Sequence, residues 1–227
     1  MKLDRLLCET HLKVPFNSTI FADPKYKPFR SKLGGDCLDQ VFYLYNRCKK
    51  VGYAPTIVAF DEPKNPLYHA AVLVDRYFLD PAMGAVKPII INEKALRMNI
   101  AGYGNINLEV SKRNKHFLLR IKSPDGESTR TSSRFINNTR ELYFRQINKK
   151  VERLSALYVG CAKLGYNDLI KLKQFDNSYW VIYKGESIKK EGKIPDSLLE
   201  AFAISAHISV KSFIRVWRLS EKILHEK

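Results

Sequence analysis

The chain has 227 residues, of which 45% are hydrophobic, and it carries a net charge of +16. No apolar run approaches the roughly 20 residues that span a bilayer, and "MKLDRLLCET" lacks the uninterrupted apolar region of a signal peptide. We therefore expect a soluble, cytoplasmic protein, built as one large domain or as two small ones that share an interface. Its positive charge favours anionic partners such as phosphate-bearing ligands, nucleic acid or a membrane surface, and the charge alone does not choose among them.

The N-terminal region is predicted to contain two helices. "LDRLLCETHLK" has leucines near helical spacing, and "VPF" ends this helix because proline restricts the residue before it. A loop rich in proline and lysine follows, from about Asn17 to Lys32. The second helix begins near Cys37. The residues predicted to line one face of it are Val41, Phe42, Tyr45 and Cys48.

The rest of the chain is predicted to be mostly sheet, with a helical end. The runs "TIVAF", "HAAVLV", "YFLD", "KPIII" and "HFLLRIK" are β-like and are separated by Pro, Asn and Asp. Residues 123–140 are typical of a polar loop, and residues 141–163 are ambiguous but favour a helix. Strands return in "LIKLKQF" and "YWVIYKG", before helical residues from about Asp196.

The four cysteines, at positions 8, 37, 48 and 161, form no CxxC pair. Neither a zinc ribbon nor a disulfide scaffold is therefore indicated. Four of the histidines have no ligand-like spacing, so we predict no metal site. These histidines are His11, His116, His207 and His225.

Cys37 has a distinctive local sequence, "LGGDCLDQ". Asp36 is a good helix N-cap residue and Asp39 falls at N3, so Cys37 is predicted to be the first helical residue. The helix dipole stabilises a thiolate there, although the two carboxylates oppose this effect. Gly34 and Gly35 permit the close approach that a substrate carbonyl needs, and N–H groups at the helix start are suited to an oxyanion.

A candidate general base lies in "LYHAAVLVDRYFLDP", which is predicted to be a hairpin. If Asp75 and Arg76 form a two-residue turn, Val74 pairs with Tyr77 across antiparallel strands. A four-residue turn from Val74 to Tyr77 leaves the register of the two strands unchanged. A slip of one residue would instead exchange the two faces of the strand.

This register determines whether the side chains of His69 and Asp80 lie on the same face of the hairpin. Asp80 would lie opposite Ala71, and His69 shares the face of Ala71 because side chains alternate along a strand. His69 and Asp80 then become diagonal neighbours about 7 Å apart. A carboxylate at that position can orient an imidazole.

Together, Cys37, His69 and Asp80 supply a nucleophile, a base and an orienting group, which are the parts required for acyl transfer through a thioester. Each residue also has an ordinary structural interpretation, as a core cysteine, a strand histidine or a turn aspartate. Their joint occurrence favours a site, because the cap, the glycines and the shared strand face are separate features.

The same residues resemble the arylamine N-acetyltransferase family. The family's Arg-Gly-Gly-x-Cys segment, strand histidine and Asp followed shortly by Gly are similar to "LGGDC", "HAAVLV" and "DPAMG". "HLKVPF" resembles the family's His…Ile/Val-Pro-Phe segment, and "YWVIYKGESIKKEGKIPDSLLEAFAISAHISV" resembles its closing strands and helix. The chain departs from the family at Leu33, Asp39 and Val41, where the family has arginine, glutamate and asparagine.

The resemblance implies an α+β fold with a cysteine-acyltransferase core of the papain and transglutaminase type. A helical part, residues 1–54, would carry the nucleophile. A central β-barrel-like domain, residues 55–122, would carry the base and its orienting aspartate. Residues 123–165 would connect it to a C-terminal α/β lid, residues 166–227.

The resemblance also implies a ping-pong acetyl transfer. The Cys37 thiolate would take an acetyl group from acetyl-CoA, and an arylamine or arylhydrazine would then attack the thioester. His69 would move protons in both halves, and Asp80 would hold its ring. The residues expected to contact substrate or CoA are Phe16, Gly35, Leu38, Met83 and Gly84.

Other functions stay open at this point. Amide synthesis, transglutaminase-like exchange and amide hydrolysis all pass through an acyl-thiol intermediate on such a core. A basic module that binds nucleic acid or an acidic partner is the non-enzymatic alternative. A C-terminal basic stripe is either a solvated helix face or a rim that attracts CoA phosphates or an acidic partner. The stripe consists of Lys211, Arg215, Arg218 and Lys222.

Overall fold

The computed structural model of the chain describes residues 2–23, 25–27, 29–62, 65–85, 87–93, 96–100, 104–123, 126–136, 139–142, 157–162, 169–175, 177–183 and 186–225. Its principal helices are α1 (Leu3–Lys13), α2 (Cys37–Lys50), α3 (Asp196–Ser205) and α4 (Val210–His225). Two short 3-10 helices span Ser18–Ala22 and Pro81–Met83.

The described strands form three antiparallel sheets. In chain order the strands are β1 (Phe16–Asn17), β2 (Thr56–Glu62), β3 (Asn65–Val74), β4 (Tyr77–Leu79), β5 (Ile89–Ile90), β6 (Leu96–Ile100), β7 (Gly104–Arg113), β8 (His116–Ser123), β9 (Gly126–Thr131), β10 (Arg134–Ile136), β11 (Leu157–Ala162), β12 (Leu169–Gln174), β13 (Ser178–Tyr183) and β14 (Glu186–Glu191). The first sheet has the order β10-β2-β3-β4-β5 and the second β6-β7-β8-β9. The third has the order β1-β11-β12-β13-β14.

Helices α1 and α2 form as their sequences predict and pack against each other. Helix α1 ends at Lys13, two residues before Pro15. A polar bridge joins the two helices, because the Glu9 carboxylate accepts hydrogen bonds from Tyr43 at 2.6 Å and Arg47 at 2.9 Å. The leucines that α1 buries are Leu3, Leu6 and Leu7.

The predicted loop after α1 is wrong in part, because it contains the 3-10 helix Ser18–Ala22. Asn17 begins this turn by accepting a hydrogen bond from the Thr19 N–H at 2.9 Å. The Asn17 side chain also donates to the Leu33 carbonyl at 2.8 Å. Leu33 itself is buried in the core around α3 and α4, where an apolar side chain fits the position.

The first sheet is buried on both faces. Ala70 and Val72 face a core shared with α1 and α2, whereas Ala71 and Phe78 face a core shared with the second sheet. A sheet covered on both sides needs apolar residues in continuous runs rather than in alternation. This explains why "TIVAF" and "HAAVLV" were visible as strands in the sequence.

The hairpin of β3 and β4 has the predicted register. Val74 pairs with Tyr77, and Val72 pairs with Leu79. Asp75 has a φ of 50°, the left-handed conformation that short hairpin turns require. The pairing from which we predicted that residues 69 and 80 share one face of this hairpin is therefore confirmed.

The interpretation of residues 123–140 as a polar loop is wrong at two places, because Gly126–Thr131 forms β9 and Arg134–Ile136 forms β10, while residues 124–125 and 137–138 lie outside the described residues. Strand β9 pairs with β8, and β10 pairs with β2. Among the described strands, β9 and β10 each have one neighbour and lie at the edge of their sheets. Edge strands tolerate polar residues, and such residues give no apolar pattern by which to recognise a strand in the sequence. The helical interpretation of residues 141–163 agrees with the helical residues 141 and 142 but is wrong at β11, and residues 143–156 and 163 lie outside the described residues.

The mixed α+β class is confirmed, but the barrel is not. Among the described strands, none of the three sheets closes on itself, so the β-barrel-like domain and the papain-like details of the core are not confirmed. The third sheet packs against α3 and α4 through a separate apolar core. The division into four segments at residues 54, 122 and 165 stays a prediction.

The basic stripe of α4 is partly used in internal ion pairs. Arg215 lies 3.2 Å from Asp23, and Arg218 pairs with Asp196 and Glu221. The two lysines of the stripe are exposed, while the opposite face of the helix is buried. Two of the four cations therefore hold α4 in place. Within the described part of the chain, no helix has both the length and the apolarity to cross a membrane.

The chain passes close to itself just before α2. Gly34 has a φ of +93°, and a Cβ on it would lie 2.1 Å from the Pro15 carbonyl oxygen. Gly35 donates its N–H to that oxygen at 3.0 Å, and a Cβ on Gly35 would lie 2.2 Å from Asp39 Cβ. The close approach that these glycines permit is thus to Pro15 and Asp39 of the chain itself.

Gly34 and Gly52 are a matched pair for measuring the cost of this crossing. Their φ angles are +93° and +92°, but nothing lies within 4 Å of a Cβ on Gly52. We expect Gly52→Ala to lower the free energy of unfolding by about 1–2 kcal/mol, the cost of the left-handed conformation. Gly34→Ala should cost about 1–3 kcal/mol more, because the Pro15 backbone cannot move aside. Urea unfolding measures both, and equal losses would contradict the crossing.

Candidate active site

Reciprocal hydrogen bonds define the start of α2. The Asp36 carboxylate accepts hydrogen bonds from the Leu38 N–H at 2.8 Å and the Asp39 N–H at 3.2 Å. The Asp39 carboxylate in turn accepts one from the Asp36 N–H at 3.0 Å. This is the predicted capping box, with aspartate in place of the usual glutamate or glutamine at N3. Cys37 is therefore the first helical residue, as the sequence predicted.

Asp39 also anchors the segment that precedes the helix. Its carboxylate accepts hydrogen bonds from the Phe29 N–H at 2.9 Å and the Tyr26 hydroxyl at 3.2 Å. The residue is only 3% exposed. Burial, and then the negative charge of Asp36, raise the pKa of Asp39 to about 7. Below neutral pH this carboxyl is protonated, which lowers the negative charge beside Cys37.

His69 and Asp80 form a buried pair. His69 Nε2 lies 2.7 Å from Asp80 Oδ2, and the two residues are 4% and 0% exposed. The other oxygen of Asp80 accepts a hydrogen bond from the Met83 N–H at 3.3 Å, so the carboxylate is held from two sides. The contact with Asp80 leaves His69 Nδ1 for a second partner.

Cys37 lies beside the residue that precedes His69. Its Sγ is 3.7 Å from the Tyr68 carbonyl oxygen, within the range of a weak thiol hydrogen bond. The side chain is half-buried at the helix N-terminus, where the dipole favours negative charge on sulfur. The structure thus brings the three residues of the predicted triad into one region, across 31 positions of the chain between Cys37 and Tyr68.

A buried histidine behind the Asp80 turn was missed from the sequence. His11 Nε2 lies 3.0 Å from the Ala85 carbonyl oxygen, and His11 is 4% exposed. Burial lowers the pKa of His11, and the charge of Lys171 acts in the same direction. Burial also lowers the pKa of Lys171, to about 7. A neutral imidazole that donates to this carbonyl supports the end of the segment that begins at Asp80. Its only sequence signal was its place in "HLKVPF".

The residues expected to contact substrate or CoA lie in three places. Phe16 is half-buried and forms a β-bridge with Gly35. Met83 and Gly84 belong to the turn that follows the paired aspartate. Leu38 is 2% exposed in the core beneath α2, so a ligand contact would have to come from its backbone. Their roles in binding stay predictions.

The other cysteines differ from Cys37. Cys48 is fully buried, and burial raises the pKa of its thiol to about 12. The pKa of Cys8 is also raised, by burial and by the charge of Asp4. The side chain of Cys161 lies outside the described residues. In the part of the chain that is described, no group of three or more His, Cys, Asp or Glu residues could hold a metal ion.

No family sequence model and no curated protein matches the chain. Several solved structures do. The arylamine N-acetyltransferase of Mycobacterium marinum is 13% identical and has a TM-score of 0.66, with 98% of this chain and 93% of that chain covered. The Mycobacterium tuberculosis enzyme is 15% identical, with a TM-score of 0.61 and coverage of 96% and 92%. A Bacillus cereus enzyme, described as having a Cys-His-Glu catalytic triad, is 13% identical, with a TM-score of 0.59 and coverage of 88% and 87%.

These likenesses define the fold. The chain is an α+β protein with a cysteine at a helix N-terminus and a histidine–aspartate pair on the adjoining sheet. Its fold is that of the arylamine N-acetyltransferases, at 13–16% identity to the solved examples. The resemblance found in the sequence is therefore confirmed at the level of the fold, and the chain is a divergent example of it.

The raised pKa of Asp39 predicts a pH-dependent stability. In the unfolded chain the carboxyl ionises near 3.8, whereas in the folded protein it ionises near 7, so the folded state retains a proton between these values. The stabilisation from this proton is greatest below about pH 4 and is lost as the pH rises through about 7.

Asp39→Asn removes this titration and tests the prediction. We expect the free energy of unfolding of the wild type, relative to Asp39→Asn, to fall between about pH 4 and pH 7 and then to level off. Urea unfolding at a series of pH values measures it. A difference that stays constant with pH would show that Asp39 is ionised throughout.

Proposed function

We propose that the chain is an acetyl-CoA-dependent N-acetyltransferase that acts on arylamines or arylhydrazines. The observation that carries the proposal is the contact of Cys37 with the residue before His69, whose imidazole is bonded to Asp80. A nucleophile beside an oriented base is the arrangement used in covalent acyl transfer. The fold supports acetyl-CoA as donor and an arylamine as acceptor, since one arylamine N-acetyltransferase of this fold is solved in complex with CoA.

In the first half-reaction, the Cys37 thiolate attacks the carbonyl carbon of acetyl-CoA. A bond forms between Sγ and the acetyl group, the bond to the CoA sulfur breaks, and His69 gives its proton to the leaving thiolate. The N–H groups of Leu38 and Asp39 are already engaged by the Asp36 cap. Oxyanion stabilisation therefore has to come from other donors than these two.

In the second half-reaction, the nitrogen of the amine attacks the acetyl thioester. The new N–C bond forms, the S–C bond breaks, and His69 takes the proton that the amine loses. Asp80 stabilises the imidazolium and holds the ring so that Nδ1 faces the thiol. Cys37 returns to the thiolate, ready for another acetyl group.

The alternatives differ in partners rather than in the core chemistry. An amide synthase, a transglutaminase-like enzyme or an amide hydrolase would share the acyl-thiol intermediate and differ in what donates or accepts the acyl group. A basic binding module would require free cations. On α4, Arg215 and Arg218 are instead engaged with carboxylates, so only the two lysines of the stripe are available to such a module.

Intact-mass measurement after incubation with acetyl-CoA tests the donor. We expect one adduct of about 42 Da, the mass of an acetyl group that replaces hydrogen, on Cys37. The adduct should be absent in Cys37→Ser and present in the control Cys8→Ser. Addition of an arylamine should discharge it, whereas rapid loss in buffer alone would indicate a hydrolase. No adduct on the wild type would refute acetyl-CoA as donor.

Asp80→Asn tests the orienting carboxylate. The asparagine oxygen can still accept the Met83 N–H, so the fold should be kept while the charge beside His69 is lost. We expect turnover to fall by about 10⁴, as in the analogous change in a serine triad. Alkylation of Cys37 by iodoacetamide should also require higher pH, because a neutral imidazole supports the thiolate less well. Wild-type turnover and alkylation in this variant would make Asp80 a turn residue only.

A further inference from the structure

Arg130, near the end of β9, extends over the core between the first and second sheets. It pairs with Leu119 across β8 and β9, so the two side chains lie on the same face. Leu119 is fully buried in that core. The Arg130 guanidinium carbon lies 5.9 Å from the centre of the Tyr68 ring, which belongs to β3 of the first sheet.

Tyr68 connects this arginine to the candidate active site. The centre of its ring lies 6.4 Å from that of His69, and its carbonyl oxygen lies 3.7 Å from Cys37 Sγ. Tyr68 therefore contacts Arg130 through its ring and Cys37 through its backbone carbonyl, and its ring also lies beside the His69 imidazole. A substrate group that lies against the edge of the Tyr68 ring is within reach of this positive charge.

Nearby arginines are neutralised by carboxylates, and Arg130 is different. Arg120 of β8 pairs with Glu109 and Glu127. Arg134 of β10 pairs with Asp61 and Glu141. For Arg130, no ion-pair partner is found among the residues that the structure describes, and its contact is the Tyr68 ring.

The aromatic contact leaves the arginine able to bind an anion. The face of a ring attracts a guanidinium through its quadrupole but brings no opposite charge. A guanidinium above a ring also keeps N–H donors along its edge, and these match the two oxygens of a carboxylate or phosphate. The Tyr68 ring thus limits the motion of Arg130 without cancelling its charge.

We propose that Arg130 determines specificity by binding an oxyanion of the substrate beside Cys37. This inference rests on the proposed acetyl transfer and adds the charge that a substrate carries. In an acceptor, the oxyanion is a carboxylate on the arylamine. In the donor, it is a phosphate of CoA. Both present the paired oxygens that a guanidinium recognises.

Ligand-observed NMR titration under reducing conditions separates these two sources. The acceptor probes are 4-aminobenzoate and its uncharged analogue 4-methylaniline, and the donor probes are CoA and phosphate-free pantetheine. Each is titrated into the wild type, Arg130→Gln, Arg130→Lys and Arg120→Gln. Arg120→Gln is the matched control, because it removes the same charge from the neighbouring strand at an arginine that has its own carboxylate partners.

We expect the wild type to bind the anionic member of one pair about tenfold more tightly than the neutral member, the size of a charge-assisted contact. Arg130→Gln should abolish this preference without weakening the neutral probe, Arg130→Lys should restore part of it, and Arg120→Gln should keep it. The pair that shows the preference identifies acceptor carboxylate or CoA phosphate. No preference in the wild type, its survival in Arg130→Gln, or its loss in Arg120→Gln would overturn the inference.

The same proteins keep the two proposals apart. Anion affinity that depends on Arg130, in a wild type that forms no acetyl adduct, would refute the acetyl-transfer function and leave the binding role of Arg130 intact. An acetyl adduct together with anion affinity that is indifferent to Arg130 would support the function and refute the inference.

Discussion

The capping of α2 by two aspartates is the interaction on which the candidate site depends. Asp36 and Asp39 exchange hydrogen bonds across the first turn, and the residue between them that begins the helix is Cys37. The short Asp39 side chain reaches the Asp36 N–H while its Cβ occupies the space that a side chain at Gly35 would need. The cap, the lack of a side chain at Gly35 and the position of the thiol at the helix start therefore belong to one structural arrangement.

Four buried ionisable groups of the described chain avoid the full cost of burying a charge, each in its own way. Asp80 has His69 as a partner at 2.7 Å. Asp39 and Lys171 have pKa values moved to about 7, so each spends part of its time uncharged near neutral pH. His11 is favoured in its neutral form.

The first sheet fixes where His69 lies relative to helix α2. Its residues alternate between the core under α1 and α2 and the core under the second sheet, so a one-residue slip would place every side chain in the wrong core. Burial on both faces makes the register of β3 and β4 strict. Strict register holds His69 beside Asp80, and the packing of α2 on β3 holds Cys37 beside Tyr68.

Local sequence signals are sufficient for those parts of this protein that depend on residues close together in the chain. The cap around Cys37 and the hairpin register that joins His69 to Asp80 follow from turn and capping chemistry within a few positions. Strands β9 and β10 were not predicted, because backbone hydrogen bonds to β8 and β2 hold them in place and their polar residues give no alternating apolar pattern. The contacts of Cys37 with Tyr68 and of His11 with Ala85 cross 31 and 74 positions. Only tertiary packing decides such contacts, because no local periodicity records which distant backbone a buried side chain will meet.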